Sequence, residues 1–127
     1  MDPEVFEIVF PFWIRAFGFT LAIEIPIFVL VGRFGSFKKN RIPIWRLALA
    51  GAAGSIVTHP LLWFVWPQLI SNYTVYIVSG ELIIAIAESF SFWLIARPIK
   101  MKTAVAASFI ANAISYGGGY LVDITGL

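Results

Sequence analysis

The sequence predicts an all-α membrane protein of four transmembrane helices, arranged as two parallel helix-hairpin repeats, with both termini outside the cytoplasm. The first observation behind this is composition: 60% of residues are hydrophobic and 13% charged, with a mean hydropathy of +0.89, whereas a soluble domain holds about 25% charged residues. The second is that the apolar residues gather into four runs, each close to the roughly 20 residues that cross a hydrocarbon core as helix. The third is that the basic residues gather in two of the links between those runs.

The first run covers residues 12–32. Ahead of it, Val5, Phe6, Ile8, Val9 and Phe10 lead to Pro11, which reads as a short segment lying in the membrane interface and broken from the helix by the proline. The chain starts Met1-Asp2-Pro3-Glu4, without the basic stretch of a cleavable signal, so the first helix is expected to be retained. The second run, 44–66, carries Ala50, Gly51, Ala52, Ala53 and Gly54, a small face suited to close helix packing. The third covers 75–96 and the fourth 103–124. Gly117, Gly118 and Gly119 near the end of the fourth lack the strand and lysine of a phosphate loop, so close packing or local unwinding is expected there. Short links make consecutive helices antiparallel, so the 127 residues form one domain with halves at 12–66 and 75–124.

Orientation follows from charge. Arg33, Lys38, Lys39, Arg41 and Arg46 cluster about the first link, and Arg97, Lys100 and Lys102 about the third, making eight of the nine basic residues. The positive-inside rule places links 33–43 and 97–102 in the cytoplasm. Trp13, Trp63, Trp66, Tyr73, Tyr76 and Tyr120 then fall near the outer interface, and Trp45 and Trp93 near the inner one, as interfacial aromatic belts do. Basic residues beside helix ends meet anionic lipid headgroups, not nucleic acid. The expected location is the plasma membrane of a bacterium or archaeon. Asn72-Tyr73-Thr74 in the outer link matches a glycosylation acceptor. The chain has no cysteine, which excludes disulfides, thiolate metal sites and thiol catalysis.

Compared with itself, the chain repeats. Glu24-Ile-Pro-Ile-Phe28-Val-Leu30-Val-Gly32-Arg33 matches Glu88-Ser-Phe-Ser-Phe92-Trp-Leu94-Ile-Ala96-Arg97. More weakly, Ser55-Ile-Val-Thr58-His59-Pro60 matches Asn112-Ala-Ile-Ser115-Tyr116-Gly117. The repeat sets Glu24, Glu88, Ser55 and Asn112 at about one depth near the membrane midplane. Ionisable groups at that depth cost about 2.5–3.5 kcal/mol each on translocon scales, so they mark function by default. Carboxylate and amide oxygens can replace a hydration shell, and two neighbouring carboxylates in low dielectric resist ionising together, which points to a cation site, to proton coupling, or to both. The competing structural reading makes these groups interhelical glue.

Glu81 lies two helical turns before Glu88 on the same face, in the outer half. With His59 at similar depth, the set His59, Glu81 and Glu88 has donors suited to a divalent transition metal, although a lone histidine is more often a satisfied side chain at a helix break, here before Pro60. Pro26 frees the carbonyl of Ala22, which could add an oxygen to the site. Arg15 sits a turn inside the outer interface, with Glu7 or Asp123 as candidate partners.

The leading functional expectation is a small transporter or channel, for a cation or coupled to protons, binding at Glu24, Glu88, Asn112, Ser55 and Glu81. It needs no cofactor beyond a monovalent or divalent cation, and four helices enclose so little space that a homodimer is expected. The alternative is an accessory subunit of a larger membrane complex. The third is an intramembrane metal-dependent enzyme, disfavoured because the only aspartates, Asp2 and Asp123, lie near the termini and no nucleotide fingerprint is present.

Overall fold

The computed structural model describes residues 1–35 and 42–125 and contains, among them, helices and connecting turns only. Lys38, Lys39 and Arg41 of the first basic link lie outside the described residues. Helix α1 runs Pro3–Phe34, α2 Ile44–Pro60, α3 Trp66–Leu69, α4 Tyr73–Ile95 and α5 Met101–Thr125. A single wide π-helical turn, Leu61–Val65, joins α2 to α3 so that Ile44–Leu69 acts as one span. Four helices are thus long and apolar enough to cross a membrane.

The expected break at Pro11 does not occur: α1 continues through both Pro11 and Pro26. Asp2 caps it, its carboxylate accepting the Glu4 N–H at 2.9 Å, with Pro3 in the first turn, where its missing N–H costs nothing. Contacts far apart in sequence hold the first turns as helix. Phe6 and Trp13 both pack on Phe64, at ring separations of 5.3 and 5.4 Å, and Phe10 fills the gap between them. At 32 residues α1 is about 48 Å long, well beyond the roughly 30 Å of hydrocarbon.

The π-helical turn has a cause in the prolines that bracket it. The Trp66 N–H reaches back to Leu61 O instead of Leu62 O, and the next nitrogen belongs to Pro67, which has no hydrogen to give. The Leu62 carbonyl is therefore left without a backbone donor, and the Tyr76 hydroxyl donates to it at 2.9 Å. On the other side of the link, the Asn72 side chain caps α4 by accepting the Val75 N–H at 3.1 Å.

The helices close into a ring in which α1 packs on α2 and α5, and α4 packs on the same two, so that α1 faces α4 across one diagonal and α2 faces α5 across the other. Leu49, Ile56, Val57, Val78, Ile86 and Ile114 are exposed, while the interior is built from small or polar side chains. This is the distribution expected where lipid is the solvent. At the end of the bundle that carries Arg33, Arg46 and Arg97 the packing is closed. There Phe28 and Phe92 meet across the diagonal at 4.7 Å, surrounded by Leu47, Ala50, Ala96, Ala104 and Ala107, all essentially inaccessible. Gly51 makes this approach of α1 and α2 feasible, since a Cβ there would lie 2.9 Å from Phe28 Cβ.

Candidate functional site

Above the Phe28–Phe92 contact, at mid-height, each helix contributes to one polar cluster. Glu24 on α1 and Glu88 on α4 are 1% and 2% exposed, and they come from diagonally opposite helices. Ser55 on α2 lies between them: its hydroxyl is 2.7 Å from Glu24 Oε2 and 3.1 Å from Glu88 Oε1. Thr58, one turn on, lies 3.1 Å from Glu88 Oε1 and 2.9 Å from Gly54 O. From α5, the Asn112 amide donates to Glu88 Oε2 and to Ser108 O, both at 2.8 Å, and the Ser115 hydroxyl donates to Glu24 Oε1 at 3.1 Å.

The four residues that the internal match sets at one depth, Glu24, Glu88, Ser55 and Asn112, lie together in the structure. Sequence reasoning missed Thr58 and Ser115, although both occupy the hydroxyl position of the internal match. It also missed Ser108, whose signal was its place one turn before Asn112. The hydrogen bonds fall in pairs between the two halves of the chain's internal match. Ser55 bonds Glu24 as Asn112 bonds Glu88, and Thr58 bonds Glu88 as Ser115 bonds Glu24. Six of the seven buried positions of α2 (Leu47, Ala50, Gly51, Gly54, Ser55, Thr58) stand in the same order as Ala104, Ala107, Ser108, Ala111, Asn112 and Ser115 of α5, while the seventh, His59, corresponds to the exposed Tyr116.

Counting hydrogens constrains the cluster. A serine or threonine hydroxyl has one hydrogen, yet Ser55 sits within bonding distance of a carboxyl oxygen on each side, and Thr58 has two acceptors of its own. Both Ser55 contacts become hydrogen bonds only when one carboxyl supplies a proton and donates it to Ser55 Oγ. One proton on the pair completes both Ser55 contacts, which are one hydrogen short without it. Gly54 fixes how closely α4 lies against α2 at this point, since a Cβ there would be 2.8 Å from Glu88 Cγ and 3.3 Å from its Cα.

The cluster forms the floor of a cavity of about 700 Å³. The lining climbs from Glu88, Glu24, Asn112 and Ser115 past Glu81 and His59 to Arg15, Tyr73, Tyr120 and Asp123, at the end of the bundle that holds the chain termini. Arg15, Tyr73, Tyr120 and Asp123 are exposed, so the cavity opens at that end, while the packed aromatic and alanine core closes the other.

His59, Glu81 and Glu88 line this one cavity, but among the described residues no three such side chains are grouped to hold a metal ion. The histidine is already engaged. Trp13 Nε1 donates to His59 Nδ1 at 3.1 Å, which leaves the ring hydrogen on Nε2, facing Thr20 Oγ1 at 3.3 Å. Both nitrogens are engaged, with Phe17 and Trp63 against the ring. Glu81, in contrast, lies half-buried in the cavity wall and accepts no hydrogen bond from a described residue. The freed carbonyl of Ala22 is not part of the site, because Ala22 and Pro26 are exposed and Ala22 lies roughly 200° around α1 from Glu24. Of the three glycines in α5, Gly118 packs against Phe19 and Ile23 on α1, Gly117 and Gly119 face open space, and the helix does not unwind.

No family model matches the chain, and no curated protein or solved structure matches it.

Proposed function

We propose that the chain is a small membrane transporter for a cation, coupled to a proton, with Glu24, Ser55 and Glu88 as its binding unit. The observation that carries this reading is the pair of almost wholly buried carboxyls, held by one hydroxyl at the floor of a cavity that is open at one end and packed shut at the other. A purely structural pair would be set in a filled interior. Here a proton-deficient network instead faces about 700 Å³ of space. Buried ionisable groups beside a water-accessible path are the usual components of ion and proton relays.

The closed lower half favours alternating access over a continuous pore. The paired hydrogen bonds and the matching buried rows of α2 and α5 support two parallel hairpin repeats about an axis along the membrane normal, an arrangement in which a site at the repeat interface is exposed to each side by rocking. With the basic end cytoplasmic, the open end faces outward. The cavity lies within one chain.

The test is proton movement in proteoliposomes that contain a trapped pH dye, driven by inward gradients of inorganic and organic cations. Wild type moves protons against at least one cation, and Glu24→Gln and Glu88→Gln do not. Equal proton movement in all three proteins, or none with any cation, overturns the reading.

A further inference from the structure

The cavity also carries information about what enters it. A volume of about 700 Å³ lies inside the roughly 300–1,000 Å³ typical of sites for small organic molecules, and far exceeds what a dehydrated inorganic ion fills. Its wall is aromatic for most of its height, with Phe19, Trp63, Tyr76, Tyr116 and Tyr120 among the lining residues. The ionisable groups facing it from the four spanning helices are Glu24, Glu81, Glu88 and Asp123 against one cation, Arg15, with His59 satisfied on both nitrogens. Metal binding is poorly served, since no three ligands are grouped among the described residues. Glu81 is the other pointer. It is a half-buried carboxyl one wall-length above Glu88, about 10 Å along the helix, and no described side chain or backbone group donates to it.

Resting on the transporter reading, we propose that the substrate is a monovalent organic cation, an amine or quaternary ammonium on an aromatic or apolar body. Its charged centre passes Glu81 and settles against Glu88, and its body lies on the aromatic wall, whose ring faces attract ammonium groups. Tyr116 stands one turn beyond Asn112 on α5 and is the wall residue nearest in sequence to the floor.

The test is calorimetric titration of the purified chain in lipid nanodiscs at alkaline pH with benzyltrimethylammonium, with neutral benzyl alcohol, and with Na⁺ and Mn²⁺. The proposal expects saturable binding of benzyltrimethylammonium and none of benzyl alcohol. Glu88→Gln weakens it by about tenfold or more and Tyr116→Ala by about threefold or more, magnitudes appropriate to desolvated charge and cation–π contacts. Glu81→Gln, which breaks no hydrogen bond in the floor, is the variant that keeps the test informative if Glu88→Gln does not fold. It also weakens binding. Benzyltrimethylammonium binding no better than benzyl alcohol, with Na⁺ or Mn²⁺ binding in a Glu88-dependent way, overturns the organic-cation proposal and leaves the transporter reading standing. Absence of any carboxyl-dependent cation binding overturns both.

Discussion

Replacing Ser55 by alanine removes the one atom that touches both buried carboxyls. Its hydroxyl is 2.7 Å from Glu24 Oε2 and 3.1 Å from Glu88 Oε1, and Ser55 is fully inaccessible, so no solvent takes its place. Among the described residues Glu88 keeps Thr58 and Asn112 as donors, whereas Glu24 Oε2 keeps none and Glu24 retains Ser115 on its other oxygen. Leaving a buried acceptor unmet costs about 1–3 kcal/mol in water-soluble proteins, and polar contacts within membranes average about 0.6 with a maximum near 1.7 kcal/mol. A carboxyl with a shared proton belongs at the upper end, so Ser55→Ala is expected to destabilise by about 1–2 kcal/mol. The assay is equilibrium unfolding in mixed micelles of a mild and a denaturing detergent, run as a double-mutant cycle with Glu24→Gln. Because both changes remove the same bridged contact, a coupling of about 0.5 kcal/mol or more is expected. A single-variant effect below about 0.3 kcal/mol together with strict additivity refutes the shared-hydroxyl argument.

Three further outcomes follow from the geometry. Gly54→Ala forces a methyl to within 2.8 Å of Glu88 Cγ and 3.3 Å of its backbone; overpacking of this kind costs about 1–3 kcal/mol, and unfolding measurements that find no loss contradict the close approach of α2 and α4. Tyr76→Phe strips the Leu62 carbonyl of its side-chain donor at the π-helical turn, for an expected loss of about 0.5–1.5 kcal/mol in the same assay. The third concerns pH: a proton and a cation compete for the Glu24–Glu88 pair, so cation affinity rises with pH, by up to about tenfold per unit where one proton is displaced. Glu81, Asp123, Arg15, His59 and Tyr76 also face the cavity, so a profile that Glu24→Gln and Glu88→Gln do not flatten assigns the titration to one of them instead.

The four spans were legible because apolar runs of membrane length have few other readings, and the midplane carboxyls because charge is expensive there. The self-match of Glu24 with Glu88 picked out two carboxyls that the fold brings to one hydroxyl. The continuation of α1 through Pro11 was not legible, since it depends on Phe64, more than fifty residues away, packing against Phe6 and Trp13. Nor was the π-helical turn, which arises from Pro60 and Pro67 acting together with a hydroxyl on another helix. Sequence offers His59 as a metal ligand and, more often, as a satisfied side chain at a helix break, and only the fold shows that Trp13 and Thr20 engage both ring nitrogens. The roles of Thr58 and Ser115 depend on bonds between halves of the chain, Thr58 to Glu88 and Ser115 to Glu24, which no local pattern encodes.

One experiment separates a binding pair from structural glue: the thermal stability of the purified chain, measured across pH and a panel of inorganic and organic cations for wild type, Glu24→Gln and Glu88→Gln. A ligand that binds only the folded state must raise that stability, by about 2.7 kcal/mol at a hundred times its Kd. If the pair is a cation site, at least one cation raises the melting temperature of wild type and leaves both variants unmoved. If both variants are as stable as wild type or more so, and no cation shifts any of the three, the glutamates hold helices together and bind nothing.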